Sequence, residues 1–166
     1  MFERGGIILR TFTLLKGLPV YSLATGTRIG EICDLCISSE GKVKGLILKK
    51  GTLLKKNYVI DFDQVSSFGW DGIMVKDEKS IELLRGHEEA YTFQSRQRLT
   101  GKMLMSAEGE KLGILEDVYF TEELGTIVGY ECSDGFFSDL MEGKRVIKTD
   151  EPPAIGKDAI IVNIKD

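Results

Sequence analysis

Apolar residues along this chain fall in short runs bounded by Gly, Asp or Ser, the pattern of strands and not of long helices. The first half predicts strands at Leu18 to Tyr21, Arg28 to Ile37, Val43 to Lys49, Tyr58 to Ile60 and Gly72 to Val75. Turn residues separate them: Gly26 and Gly41 early, Asp71-Gly72 before the last. Within the long strand, Ile32 is followed by apolar Leu35 and Ile37, so the inward parity changes between them. One extra residue in the strand does this, and a β-bulge is expected near Asp34.

The pattern then repeats. Gly17 and Ser22 recur as Gly101 and Ser106, and Gly26, Gly30 and Asp34 as Gly109, Gly113 and Asp117. Gly45 falls on Gly129, and the block from Val59, Ile60 and Asp63 to Gly69, Asp71, Ile73 and Val75 falls on Val146 to Val162 at one constant offset. The parity change recurs at Leu115, Val118 and Phe120, placing a second bulge near Asp117. Length changes sit where loops belong, so an internal duplication is expected, one small closed or nearly closed sheet per copy. Closure removes exposed strand edges.

Composition agrees with this picture. Hydrophobic residues at 42% and charged residues at 29% suit a packed globular chain. With 19 Gly against 3 Pro, tight turns and bulges are favoured over long helices. No apolar stretch approaches the roughly 18 to 20 residues of a membrane helix. The start, Met1 to Arg10, lacks a signal-peptide pattern, so a cytoplasmic protein is expected. Three cysteines are too few for a disulfide framework, in keeping with a reducing compartment. The net charge of −4 is uneven: residues 1–75 hold 10 Lys/Arg against 7 Asp/Glu, and the remainder 12 against 19.

The recurring motif, Gly26 to Leu35 and again Gly109 to Val118, resembles that of the PRC-barrel domains, whose pattern is Gly, a few residues, Gly-x-Ile/Val-x-Asp-Leu/Val and a later Gly followed by apolar residues. The resemblance covers nearly the whole chain. It implies two small barrels, residues 12–76 and 98–164, joined by a polar connector at 77–97. It also implies docking in place of catalysis, as in the cytoplasmic domain of the photosynthetic reaction-centre H subunit and the C-terminal domain of a ribosome maturation factor. Neither the H subunit's membrane helix nor the maturation factor's N-terminal domain has a match here, which leaves a similarity to bacterial stand-alone tandem proteins.

Two short helical segments are expected within this mainly β chain. In the connector, Ser80 before Ile81-Glu82-Leu83-Leu84 and Gly86 after Arg85 give start and stop signals. In the second copy an insertion, Ser133 to Gly143, places Phe136, Phe137, Leu140 and Met141 at helical spacing. These apolar residues either plug an open barrel end or form a partner-binding patch.

Candidate chemistry is sparse. Cys33-Asp34-Leu35-Cys36 has CxxC spacing, but in a strand the two sulfurs do not converge as in redox or zinc turns. The second copy has Glu116 and Tyr119 at those positions, and Cys132 falls on Leu48, a core position. His87 is the sole histidine and lies in the polar connector, short of partners for a metal site or a nucleophilic triad. Asp61 and Asp63 could form an acid/base pair, yet Lys148 replaces the first in copy two while Asp150 preserves the second, which favours turn capping. Gly5-Gly6 lacks phosphate-loop spacing. Neither cofactor nor metal is expected.

A basic group, Lys42, Lys44, Lys49, Lys50, Lys55 and Lys56, surrounds one hairpin of the first copy. It offers an anion or nucleic-acid surface against an overall acidic pI near 5.2. The sequence therefore reads as a non-catalytic protein-interaction module with a protein partner. Its opposite half-charges permit contact between the halves or a homo-oligomer. An RNA- or ribosome-associated factor using the lysines is the alternative. Because the shared Gly and Asp serve folding, function is expected where the copies differ.

Overall fold

The strand-rich pattern becomes sixteen strands and a few single helical turns in the computed structural model, which describes residues 2–4, 7–51, 56–84, 91–134 and 144–165, with side chains from residue 8 onward. In chain order the first are β1 (Phe2–Arg4), β2 (Ile7–Thr11), the helical turn α1 (Phe12–Leu15), β3 (Pro19–Ser22), β4 (Arg28–Ile37), β5 (Val43–Lys50), β6 (Lys56–Asp61), β7 (Val65–Phe68), β8 (Ile73–Val75) and β9 (Ile81–Leu83). The second series is β10 (Tyr91–Thr92), β11 (Met103–Ser106), β12 (Lys111–Thr121), β13 (Ile127–Ser133), β14 (Arg145–Lys148), β15 (Ala154–Ile155) and β16 (Ala159–Val162).

Both halves use one plan. Strand β4 pairs antiparallel with β3 and β5, β5 with β6, and β8 joins β3 in parallel. Strands β11, β12, β13, β14 and β16 repeat that ladder. The registers match too: Val20 faces Gly30 and Ile73, and its counterpart Leu104 faces Gly113 and Ile160. In the first half the ladder runs from β7 to β9 without joining its ends, and a 3-10 turn, Phe62–Gln64, carries the chain between β6 and β7.

The expected bulges are present. Register slips between Ile32 and Asp34 on β4, and between Leu115 and Asp117 on β12. Just before each bulge the crossing strand comes so close that a Cβ on Gly30 would collide with the Lys49 carbonyl, and one on Gly113 with that of Ser133. Glycine is required there because nothing larger fits.

The halves are joined by a reciprocal exchange. Strand β2, which precedes the first ladder, pairs with β12 of the second, Thr11 opposite Tyr119. Strand β10, which precedes the second ladder, pairs with β4 of the first, Thr92 opposite Cys36. Cys36 and Tyr119 are equivalent positions of the two copies. The bulge aspartates hold the exchanged segments. Asp34 accepts the N–H groups of Leu35, Gln94 and Ser95 at 2.8, 2.9 and 2.9 Å and the Ser95 hydroxyl at 2.6 Å. Asp117 accepts those of Val118, Phe12 and Thr13 at 2.8, 3.0 and 3.3 Å. Both carboxylates are buried, so these bonds replace the hydration they lose.

Around the same pseudo-two-fold, the Val43 N–H donates to the Gly125 carbonyl at 2.7 Å and the Ile127 N–H to that of Gly41 at 3.1 Å. The rings of Phe12 and Phe93 meet with centroids 5.0 Å apart, and Phe120 packs edge-on to Phe62 and Phe68. One hydrophobic core therefore runs through both halves. The contact between them is made by backbone and apolar groups together with buried charged side chains, among them the ion pair of Arg10 in the first half with Glu122 in the second.

Two expectations need correction. A helical turn does occur in the connector, at Glu78–Ser80, but Ile81 to Leu83 form strand β9 against β6 and not helix. Pairing with the exposed edge of β6 outweighs the local capping signal of Ser80. The residues after it, 91–93, are also no mere spacer: they supply β10 and the fully buried Phe93.

Candidate binding surfaces

The strand location of Cys33 and Cys36 holds, and Cys33 is itself the extra residue of the bulge between Ile32 and Asp34. Cys36 is buried; Cys33 is half-buried, and burial pushes its thiol up to about 11, the opposite of an activated thiolate, although Lys49 pulls the other way. Cys132 is a core residue with its Sγ 3.3 Å from the Leu112 carbonyl, and burial raises its thiol as well. Asp61, not Asp63, occupies the N-cap of the 3-10 turn after β6, and it makes no side-chain cap bond. His87 lies outside the described residues, as do Lys55 and the insertion residues Phe136, Phe137, Leu140 and Met141. Among the described residues no group of three or more His, Cys, Asp or Glu could hold a metal ion.

The lysines divide into two groups. Lys42 and Lys44 are exposed at the start of β5, beside the contact between the halves. Lys49, Lys50 and Lys56 sit at its far end, about 20 Å away at strand rise. There Lys50 lies opposite Lys56 and its Nζ stands 5.5 Å from the Tyr58 ring centroid. A shallow depression of about 320 Å³ beside them is lined by Arg28, Glu31, Lys49 and Lys50. Glu31 faces Lys49 across the ladder and pairs with Arg28 at 3.7 Å, so this end is basic without being purely cationic.

A third surface is not evident from the sequence pattern. Arg10, on β2, is buried and pairs with Glu122 at 2.6 Å while donating to the carbonyls of Phe68 and Gly69. Its guanidinium lies 5.8 Å from the Phe68 ring and 6.0 Å from that of Trp70, within cation–π range. Around this buried charge the apolar side chains of Trp70, Leu124 and Ile8 are 63%, 64% and 38% exposed. Ile8 is two residues before Arg10 on β2, its carbonyl accepts the Glu122 N–H, and Leu124 lies in the turn that Glu122 opens.

The duplication supplies an internal control. Trp70 corresponds to Lys157 and Leu124 to Glu40, both exposed. One flank of the pseudo-two-fold is thus apolar and the other charged. The charged flank borders a groove of about 540 Å³ lined by Glu40, Gly41, Thr126, Ile127, Glu151 and Pro152. Trp70 is the sole tryptophan, at the tip of the turn Gly69-Trp70-Asp71-Gly72. Its mismatch with Lys157 is the signal that could have singled it out.

Among the described residues no helix is long and apolar enough to cross a membrane. The chain is 38% identical over 157 residues to the uncharacterized protein YrrD of Bacillus subtilis (strain 168), an alignment covering 93% of this chain and 88% of that protein. The model of the PRC-barrel domain matches residues 10–81 and again 93–166. Each match begins within the exchanged segment that pairs with the other half, so what the family pattern recognises as one domain is completed here by its neighbour. The chain belongs to the PRC-barrel domain family and carries that domain twice.

Proposed function

We propose that this tandem PRC-barrel chain is a non-catalytic, cytoplasmic protein-interaction module and that its main partner surface is the apolar flank around Trp70. The observation that carries this reading is the exposure of Trp70 and Leu124 where the other copy has Lys157 and Glu40. Large exposed aromatics beside an arginine are the side chains that dominate binding energy once a partner removes them from water. The shared aspartates are engaged in joining the halves, which supports a structural role for them. The insertion bearing Phe136, Phe137, Leu140 and Met141 is a second partner surface in this proposal.

The test is capture of partners from the native cell on the wild-type chain and on Trp70→Lys and Leu124→Glu, with and without nuclease. Proteins that survive nuclease and are lost from both variants, at unchanged urea midpoints, support the reading. Retention by both variants refutes it.

One observation favours a second reading, an RNA- or ribosome-associated factor: Lys49, Lys50 and Lys56 converge at one end of the first barrel. Its RNA affinity should fall steeply with salt. Replacing Lys49, Lys50, Lys55 and Lys56 by Glu without loss of RNA binding would eliminate it.

A further inference from the structure

The two copies differ at one strand edge. In the first barrel, β6 is covered on its outer side by β9: Ile81 faces Ile60, Glu82 faces Val59 and Leu83 faces Tyr58. In the second barrel the equivalent strand β14 pairs with β13, and among the described residues no strand lies beyond it. Val59 corresponds to Val146, which is 43% exposed.

Among the described residues, this edge has ladder groups without partners. The Thr149 N–H donates inward to the Val128 carbonyl, so in the alternation of an antiparallel pair the N–H and C=O of Ile147 also point inward and those of Val146 and Lys148 point out. The Lys148 carbonyl accordingly accepts the Lys165 N–H at 2.8 Å from outside, and among the described residues nothing covers the stretch centred on Val146.

The charge pattern of this edge is its own. On the face shared with Val146 lie Lys144 and Lys148, where the first barrel has Asn57 and Asp61. Both lysines are exposed, and Lys144 is 4.0 Å from Glu131. Arg145 is turned away, its guanidinium donating to the Leu112 carbonyl at 2.6 and 3.0 Å. A residue opposite Val146 would stand between two cations, within reach of diagonal cross-strand pairing.

We infer that the outer edge of β14 receives, antiparallel, an extended peptide segment of another protein, with an acidic residue opposite Val146 and apolar residues on either side. Strand β9 shows the form of such a ligand, since Ile81-Glu82-Leu83 already covers the equivalent edge. Main-chain bonds would supply affinity, and Lys144 and Lys148 the preference for acid. This site is remote in sequence from the Trp70 flank and rests on separate observations, so the two readings fail independently.

The probe is a synthetic peptide of residues 78–84, titrated into the full-length isotope-labelled chain. Amide signals of Val146 and Lys148 should shift most. A Glu82→Lys peptide should bind about tenfold more weakly. In the protein, Val146→Pro removes an outward N–H without touching the ladder to β13 and should weaken binding by about tenfold. Should that variant misfold, Lys148→Glu serves instead and must abolish the preference between the two peptides, since Lys144 alone then faces an opposing carboxylate. Shifts centred on β6 and β9, an absence of shifts, or an unaltered preference in Lys148→Glu would each overturn the assignment.

Discussion

The carboxylate of Asp117 accepts the backbone N–H of Phe12 from 105 residues earlier in the chain, at 3.0 Å and fully buried. With its counterpart, Asp34 to Gln94, it makes each half dependent on the other.

Asp34→Ala and Asp117→Ala should therefore each leave buried N–H donors without an acceptor and cost about 2 to 3 kcal/mol. Because the halves share one core, calorimetry should show a single transition at lower temperature in each variant. Two separate transitions would mean that the exchange does not couple the barrels.

Phe12 and Phe93 pack on one another where the halves meet. Each Phe→Ala change should cost about 3 to 5 kcal/mol through lost burial and a residual cavity. The double variant should fall short of the sum by about 1 kcal/mol, since the second change removes a contact already lost. Urea denaturation of the four proteins gives the coupling.

Gly109 and Gly113 both have positive φ, but a Cβ on Gly109 meets open space, whereas one on Gly113 meets the Ser133 carbonyl. Gly109→Ala should cost about 1 kcal/mol, from backbone strain alone. Gly113→Ala should cost clearly more, because β12 must move away from β13. Equal urea midpoints for the two would count against the close approach.

Cys33 gives a pH test. Its thiol is raised to about 11 from an ordinary 9, so the folded protein holds the proton more tightly than the unfolded chain. Its contribution to stability is present below pH 9 and is lost as pH rises towards 11. Alkylation of Cys33 by iodoacetamide, followed by mass spectrometry, should be slow at pH 8 and accelerate between pH 9 and 11. Rapid labelling at pH 8 would contradict the burial.

The repeated Gly and Asp made the duplication, the long strands and both bulges legible, because each answers to a local constraint such as a close approach or an extra residue. The exchange was not legible. Thr11-Phe12 matches Thr92-Phe93 at an offset three residues shorter than that of Gly17 and Gly101, so the leaders fall out of the alignment. Which half a leader joins is in any case a long-range choice that periodicity does not encode. Ile81 to Leu83 were misread because a Ser before and a Gly after an apolar run is a helix signal only when no sheet edge competes. Trp70 escaped for a related reason: a single aromatic in a turn forms no pattern until its counterpart, Lys157, is set beside it.

The paired bonds Val43 to Gly125 and Ile127 to Gly41 have the reciprocity of a symmetric dimer interface, in which each surface matches its own copy. Such a surface serves two identical chains as well as two halves of one. Covalent linkage turns that association into an intramolecular event, so mass action no longer limits it. Dilution cannot separate the partners, and each is free to change its outer faces while its twin keeps it folded.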